Sequence, residues 1–206
     1  LMKHLILLLC AVLATSTHGQ ETQALAEPAV AKTALKKRPN ILFAIADDMS
    51  HASAYGHKWV STPHFDKLAS EGILFKNAFT TNPKGGPSRA ATLGGRHFWQ
   101  MKAGSCHWNV WPNELKIYTD LLAEAGYHVG LTGKGWGPGN YKKRGGRVHN
   151  PAGKAYNTQK KKFQVGISDN NYSGNFKEFL KKRKPGQPFC FWYGAKEPHR
   201  GYLAGS

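Results

Sequence analysis

The sequence predicts an α/β fold with a mainly parallel sheet flanked by helices. Strand-like and helix-like segments alternate along the chain, which is typical of βαβ units. The clearest strand, residues 40–46, is a nearly continuous apolar run, as expected for a parallel strand buried on both faces. It ends at Asp47 and Asp48, and open parallel sheets bind ligands at this carboxyl edge. A chain of 206 residues can bury one good core.

The other elements follow from their apolar patterns and stop signals. We expect helices at 62–72, 88–93, 118–125 and 175–182, and further strands at 73–80, 128–132 and 189–194. Gly72 and Gly126 end two of the helices in this prediction. Residues 137–174 are rich in Gly, Lys and Asn, which indicates a long surface excursion.

The first 37 residues differ from the rest of the chain. Residues 1–19 predict a signal peptide with a basic start, an apolar run at 5–13 and small residues before Gly19. That run is too short to span a bilayer. The polar residues 20–37 predict a linker, which makes the alternative of a buried N-terminal helix weaker. We therefore expect a secreted or periplasmic protein with no membrane attachment after cleavage.

The net charge is +17, from 29 Lys and Arg against 12 Asp and Glu. Basic runs lie at 142–144, 160–162 and 181–184. Such a charge favours polyanions. Secretion argues against nucleic acid, whereas a sulfated polysaccharide suits both the charge and the compartment. For any single run, the alternative is a solvated basic face.

The cysteines and five of the ten histidines carry no recognisable metal or redox pattern. Cys106 and Cys190 are far apart, so no disulfide can be inferred between them, and the apolar run around Cys190 predicts a buried thiol. Five histidines lack metal-ligand spacing and are predicted to be surface or packing residues. They are His51, His57, His97, His107 and His149.

Two local patterns point to chemistry. Adjacent carboxylates at Asp47 and Asp48 after a buried strand are stabilised by a cation, and hard oxygen ligands suit calcium or magnesium. The alternative is a pair of loop acids that cap the next element. Residues 85–96 read Gly-Gly-Pro-Ser-Arg-Ala-Ala-Thr-Leu-Gly-Gly-Arg, which locally could be a loop that enters a helix, capped by Ser88.

Residues 85–96 closely resemble the sulfatase signature Cys-x-Pro-Ser-Arg-x-x-x-Leu-x-Gly-Arg, with Gly85 in place of the Cys. Five further segments resemble other sulfatase regions. They are 38–48, 62–69, 75–80, 125–134 and 195–200. The Pro63-His64 pair, residues 134–138 and residues 198–200 favour the heparan N-sulfatase (sulfamidase) branch. The resemblance implies the alkaline phosphatase-like fold and makes 38–206 the N-terminal part of a sulfatase catalytic domain, C-terminally incomplete.

The resemblance also implies a role for each matched residue. Asp47 and Asp48 would bind Ca2+, with Mg2+ less favoured. Residue 85 would be the formylglycine hydrate that attacks sulfur, made from Cys by the formylglycine-generating enzyme in active relatives. Arg89 would hold the oxygens of that hydrate, Lys134 would bind sulfate oxygens, and His199 would donate a proton near the leaving group.

Three departures bear on activity. Gly85 has no side chain to oxidise, so the resemblance implies hydrolysis of sulfate esters or N-sulfates on a glycan in the family but an inactive chain here. Trp136 stands where family members often have His. The family's second Asp-Asn calcium pair is expected beyond residue 206, and Asp169-Asn170 is predicted to be a loop pair. The alternatives are a non-catalytic protein that binds sulfated polysaccharide, and a related metal-dependent phosphoesterase.

Overall fold

The structure is a computed structural model and describes residues 38–143 and 146–199; the predicted signal peptide and linker lie outside the described residues. The main sheet has four parallel strands in the order β1-β6-β3-β5, and a small parallel pair joins β2 to β4. The strands are β1 Ile41–Asp47, β2 Asn109–Val110, β3 His128–Gly133, β4 Gly139–Asn140, β5 Lys154–Ala155 and β6 Phe189–Pro198. The helices are α1 Pro63–Glu71, α2 Gly85–Gly94, α3 Tyr118–Glu124 and α4 Tyr172–Lys181, with 3₁₀ segments at Ser53–Tyr55 and Phe98–Ser105. The predicted α/β class with a mainly parallel sheet is confirmed.

Strand β6 is an interior strand of the main sheet and separates two apolar clusters. Successive strand residues face opposite sides of a sheet, and Phe191 and Trp192 lie in different clusters. The larger cluster packs under α2 and the second 3₁₀ segment, and the smaller one packs under α4. The buried members of the larger cluster are Ala90, Leu93, Met101, Trp111, Ile117, Leu131, Trp136, Ala152 and Trp192. Those of the smaller cluster are Tyr156, Phe179 and Phe191.

The prediction that residues 40–46 are buried on both faces is wrong. Strand β1 pairs with β6 alone and forms an edge of the described sheet. Leu42 is 56% exposed and Phe43 is 36% exposed. An apolar run allows burial on both faces, but it does not specify which strands and helices lie on either side. The interior positions belong to β6 and β3.

The second strand prediction is also wrong, because residues 73–80 form no strand in the structure. Ile73 and Phe79 are 81% and 92% exposed. The partial apolar alternation of this segment is not matched by a neighbouring strand among the described residues, and a strand needs such a neighbour for its hydrogen bonds.

Two helices begin three residues earlier than predicted. Helix α2 begins at Gly85, with Lys84 as N-cap, so Ser88 lies inside the helix and not at its cap. Helix α4 begins at Tyr172, where the Asn171 side chain accepts a hydrogen bond from the Gly174 N–H and caps the helix. The helices at 63–71 and 118–124 agree with the prediction; Gly72 is the C-cap of the first, and Gly126, with φ +86, follows the Ala125 C-cap of the second.

The described residues within 137–174 form more than a surface excursion. They contribute β4 and β5, and Pro151, Ala152 and Tyr156 are buried. Asn170 is buried as well, and its Nδ2 donates to Thr132 Oγ1 at 3.1 Å. Asn170 is therefore a structural link between this segment and β3, whereas Asp169 forms an exposed ion pair with Lys160.

The described cysteines are both free thiols, Cys106 exposed and Cys190 buried. Burial raises the pKa of the Cys190 thiol to about 11, which fits the predicted inert core residue. Within the described ranges, no helix is both long enough and apolar enough to cross a membrane.

Candidate active site

The carboxyl ends of three neighbouring strands meet the start of α2 at one cavity of 610 Å³. Asp47 ends β1, Lys134 follows β3, and His199 follows β6. Because parallel strands end at the same edge of a sheet, these side chains come together although they are far apart in sequence. All six residues predicted for the site line this cavity. They are Asp47, Asp48, Gly85, Arg89, Lys134 and His199.

The backbone between β3 and β6 determines where Lys134 lies. The Lys134 N–H donates to the Gly194 carbonyl oxygen at 2.8 Å, and the Trp192 indole N–H donates to the Lys134 carbonyl oxygen at 2.9 Å. Gly133 has φ +76 and lies so close to Gly194 that a Cβ would overlap the Gly194 carbonyl. Glycine at position 133 is thus needed both for the turn and for the close approach of the two strands.

Asp47 is the centre of an ion-pair triad in which Lys134 is partly exposed. Its Oδ1 accepts from Arg89 Nη2 at 2.5 Å, and its Oδ2 accepts from Lys134 Nζ. The Asp47 and Arg89 side chains are 8% and 9% exposed. Burial alone would raise the pKa of Asp47, but the hydrogen bonds and charges of Lys134 and Arg89 outweigh burial and lower the pKa. The carboxylate is therefore ionised, and it holds two cations beside the cavity.

Asp48 has a different environment from its neighbour. Its backbone adopts the left-handed conformation with φ +58, and its side chain is half-exposed. The Oδ2 atom lies 3.8 Å from His199 Nε2. The two adjacent carboxylates therefore serve different partners, with Asp47 bound to α2 and β3 and Asp48 beside the end of β6.

Gly85 is the first residue of α2 and lies one helical turn before Arg89. Residues four apart lie on the same helix face, and a Cβ at Gly85 would overlap Arg89 Nη1. The guanidinium therefore occupies the space of the absent side chain. Arg89 Nε is buried and has no hydrogen-bond partner within the described part of the chain.

The structure adds His107 to the cavity; its side chain is exposed, as predicted for a surface residue, and it lines the site as well. The Gly86 N–H donates to His107 Nε2 at 3.2 Å. Sequence reasoning missed this residue because nothing in its local sequence indicates where the loop before β2 lies. Trp136 behaves differently, since it is 4% exposed and its indole N–H donates to the Gly104 carbonyl oxygen at 2.8 Å. It belongs mainly to the core.

Comparison with known proteins decides the family. The family model described as Sulfatase matches residues 39–205. The chain belongs to the sulfatase family. It is 29% identical over 180 residues to the N-acetylglucosamine-6-O-sulfatase of Bacteroides thetaiotaomicron, covering 81% of this chain and 32% of that protein. It is 31% identical over 172 residues to the human N-sulphoglucosamine sulphohydrolase, covering 80% and 33%.

A solved structure shares the sulfatase fold of this chain. It is described as a complex with its substrate D-glucosamine-2-N,6-O-disulfate, and it matches with a TM-score of 0.56 and 25% identity over 81% of this chain and 36% of that chain. The parallel sheet with flanking helices is thus the fold of the alkaline phosphatase-like superfamily. The sulfatase chain described here spans about a third of the length of the curated relatives that it matches.

Sulfatases generally use formylglycine and a divalent metal ion. The carboxylates of this sulfatase fit a hard cation in kind, since Ca2+ prefers oxygen ligands. They do not fit it in number, because Ca2+ takes about six to eight oxygens. Asp47 already binds two cationic side chains, and the described residues contain no group of three or more His, Cys, Asp or Glu that could hold a metal. The described residues alone do not complete a metal site.

Proposed function

We propose that this chain forms the anion-binding part of a sulfatase active site, which takes sulfate groups of a glycan, and that Gly85 leaves it without the nucleophile of the family. The observation that carries the proposal is the arrangement of Arg89 and Lys134 around Asp47, next to the first residue of α2. A sulfate group in this cavity would meet two fixed cations and the start of a helix.

The residues suit a reaction that spreads negative charge over sulfate oxygens. Donors that are positioned before the reaction are usually the largest catalytic contribution. Arg89 and Lys134 are held by Asp47, so they need little reorganisation to meet an anion. His199, at the end of β6, is positioned to donate a hydrogen bond to the oxygen or nitrogen that leaves with the sugar. These roles are the ones that the family resemblance implies.

The cavity nevertheless lacks a nucleophile at the expected place. Gly85 has no side chain, so no formylglycine can form there, and its space is filled by the Arg89 guanidinium. Loss of a covalent nucleophile can reduce turnover by about a million-fold. We therefore propose that the chain with Gly85 binds sulfated ligands but hydrolyses them negligibly.

The proposed substrate class is a sulfated amino sugar within a glycan. This rests on relatives whose names specify an N-acetylglucosamine 6-O-sulfate and an N-sulphoglucosamine, and on the glucosamine disulfate in the related structure. The O-sulfatase and the N-sulfatase are similarly identical to this chain, so the predicted sulfamidase branch stays a prediction. A secreted or periplasmic location is part of the proposal and rests on residues 1–19.

We also propose Ca2+ as the metal, with Asp47 and Asp48 as two of its ligands. The support is the pair of hard oxygen donors beside the cavity. Because the described residues supply so few ligands, calorimetry on this chain should detect only weak binding of Ca2+. Tight stoichiometric binding would contradict the incomplete ligand set.

The binding proposal is tested with glucosamine-2-N,6-O-disulfate and the purified chain. Arg89→Ala should lower the affinity by at least about tenfold, since hydrogen bonds to charged groups contribute about 1.5–3 kcal/mol. Lys162→Ala is the matched control, because it removes one positive charge from an exposed basic run. Equal losses of affinity in both variants would show that the ligand is attracted by the net charge of the chain and does not bind in this cavity.

The nucleophile proposal is tested with Gly85→Cys, co-expressed with the formylglycine-generating enzyme. Mass spectrometry of the peptide around residue 85 should show conversion of the new cysteine to formylglycine. The turnover assay uses a form of the protein that carries a complete metal site. In that form, turnover of an aryl sulfate should be negligible with Gly85 and measurable once residue 85 is formylglycine. Measurable turnover that is equal before and after would exclude position 85 as the nucleophile.

The non-catalytic binding protein remains the second candidate, and Gly85 is the observation that favours it. A non-catalytic protein would bind the same ligands. It would gain no turnover from Gly85→Cys, even after the new cysteine is converted to formylglycine and the metal is bound. If the protein is instead a phosphoesterase, the unmodified chain should hydrolyse an aryl phosphate. The turnover assay detects this when the aryl phosphate replaces the aryl sulfate.

A further inference from the structure

His107 is attached by its backbone to the segment that follows Lys134. The next residue, Trp108, donates its N–H to the Pro138 carbonyl oxygen at 2.8 Å. Directly after it, β2 pairs with β4, with Asn109 opposite Gly139. The loop that carries His107 is therefore fixed against the wall of the cavity by backbone hydrogen bonds, which do not depend on the imidazole itself.

The imidazole contacts a particular atom of α2. The first N–H groups of a helix have no partner within the helix. In α2, Pro87 has no N–H and the Ser88 N–H donates to the Lys84 carbonyl oxygen at 2.9 Å. The Gly86 N–H donates to His107 Nε2 at 3.2 Å. A Cβ at Gly86 would lie 2.8 Å from that nitrogen, so glycine at this position makes room for the ring.

We propose that His107 is an anion-binding residue of this cavity, which holds the Gly86 N–H in the empty site and contacts the sulfate once it is bound. The proposal rests on the proposed function, that this cavity takes a sulfate group. Both His107 and Gly86 line the same cavity as Arg89 and Lys134. A sulfate there would accept the Gly86 N–H in place of the imidazole, and the imidazole would donate to the sulfate.

This exchange of partners requires no net uptake of a proton. A neutral imidazole carries its proton on either Nδ1 or Nε2, and the nitrogen that accepts from Gly86 is the one without it. A change of tautomer turns Nε2 into a donor. His199 cannot take this role at α2 without leaving its place beside Asp48, from which it lies 3.8 Å. The cavity thus has one histidine at the helix start and another at the end of β6.

A purely structural role predicts different behaviour. If His107 only caps α2, its removal destabilises the helix, but the ring keeps its contact with Gly86 when an anion binds. If His107 binds the anion, its ring nitrogens change their hydrogen bonds upon binding. The two roles are therefore separated by the response of the ring itself.

The experiment uses the 206-residue chain and inorganic sulfate. Nitrogen-15 NMR should show that the His107 ring resonances, assigned by comparison with His107→Gln, shift as sulfate saturates the site. Titration calorimetry should give at least about tenfold weaker sulfate binding for His107→Ala. His107→Gln should restore binding to within about threefold of the unmodified chain, because its amide can accept from Gly86 and donate to the anion. The matched control is His149→Ala, which removes an exposed imidazole and should bind sulfate normally.

Three outcomes overturn the proposal. Sulfate binding that Arg89→Ala abolishes and that both His107 variants leave unchanged would remove His107 from the site and leave the proposed function intact. Failure of the unmodified chain to bind sulfate would overturn the proposed function and this inference together. Should His107→Ala fail to fold, unchanged His107 ring resonances in the sulfate-saturated unmodified chain would be decisive against it.

Discussion

At the scale of single residues, Asp47 organises the candidate site. A buried carboxylate is costly unless cations and hydrogen bonds compensate it. Arg89 and Lys134 provide that compensation, one on each carboxylate oxygen. The same contact orients both cations toward the cavity edge. Asp47 therefore contributes to stability and to the position of the anion-binding groups at the same time.

The first prediction concerns the stability contribution of Asp47. Asp47→Asn should lower the free energy of unfolding at neutral pH by about 3–5 kcal/mol, because Arg89 stays buried without its counter-charge. The pKa of Asp47 is lower in the folded chain than its usual 3.8. The stability that its charge provides is thus present above pH 3.8 and is lost as the pH falls through the lower folded value.

Urea unfolding of both proteins between about pH 3 and 7 checks this prediction. The difference between them should shrink as the pH falls below about 4. Asp169→Asn is the control, since Asp169 forms a mostly exposed pair with Lys160 at 3.1 Å and should contribute less than about 1 kcal/mol. A constant difference across this pH range would show that the charge of Asp47 is not responsible.

At the scale of elements, the start of α2 determines the geometry around position 85. Starting at Gly85 places residues 85 and 89 on one helix face, one turn apart. With the predicted start at Ser88, residue 85 would lie in a loop, and its distance from Arg89 would be undetermined. The earlier start explains why the guanidinium fills the space beside Gly85.

The second prediction concerns the junction of β3 and β6. Gly133→Ala should destabilise the chain by more than about 2 kcal/mol. Alanine is disfavoured at a positive φ, and its Cβ would also overlap the Gly194 backbone. It should also weaken sulfate binding, since Lys134 is the next residue. Thermal unfolding and calorimetry measure the two effects.

Gly166→Ala separates these contributions. Gly166 has a similar φ of +85, but no atom lies within 4 Å of a Cβ built there. Its substitution should cost only about 1–2 kcal/mol and leave sulfate binding unchanged. Equal destabilisation by both substitutions would refute the role of close strand approach at Gly133.

At the scale of the whole molecule, part of the positive charge lies away from the cavity. Lys181 ends α4, and the basic run 181–184 precedes β6, so this run lies at the amino edge of the sheet. The cavity lies at the carboxyl edge. A polyanion attracted by the net charge of +17 therefore meets basic surface beyond the residues that would hold a single sulfate group.

The third prediction separates these two kinds of binding. A highly sulfated polysaccharide should bind the chain at low salt, and its affinity should fall by at least about tenfold between 0.05 and 0.5 M NaCl, because the Debye length becomes shorter than the spacing of surface charges. Arg89→Ala should change this binding by less than about twofold. Surface plasmon resonance provides the measurement, with the desulfated polysaccharide as control. Salt-independent binding would contradict an electrostatic origin.

The sequence by itself determined the residues of the candidate site and the edge at which they lie. Apolar runs that alternate with helices predict a parallel sheet, and in such a sheet Asp47, Lys134 and His199 follow strands whose ends share one edge. The signature motif places Gly85 and Arg89 there as well. The resemblance to sulfatases selected these residues, and the topology of a parallel sheet explains why they line one cavity. Their roles in the site stay predictions.

The tertiary structure alone decided which groups contact each other. An apolar run does not encode its neighbours, so the interior position of β6 and the edge position of β1 depend on packing between distant segments. The same holds for residues 73–80, whose alternation finds no strand to pair with among the described residues. His107 reaches the cavity because β2 pairs with β4, and Asp47 binds Arg89 and Lys134 across 42 and 87 residues of chain. Such contacts result from the simultaneous packing of several elements, and no local sequence signal specifies them.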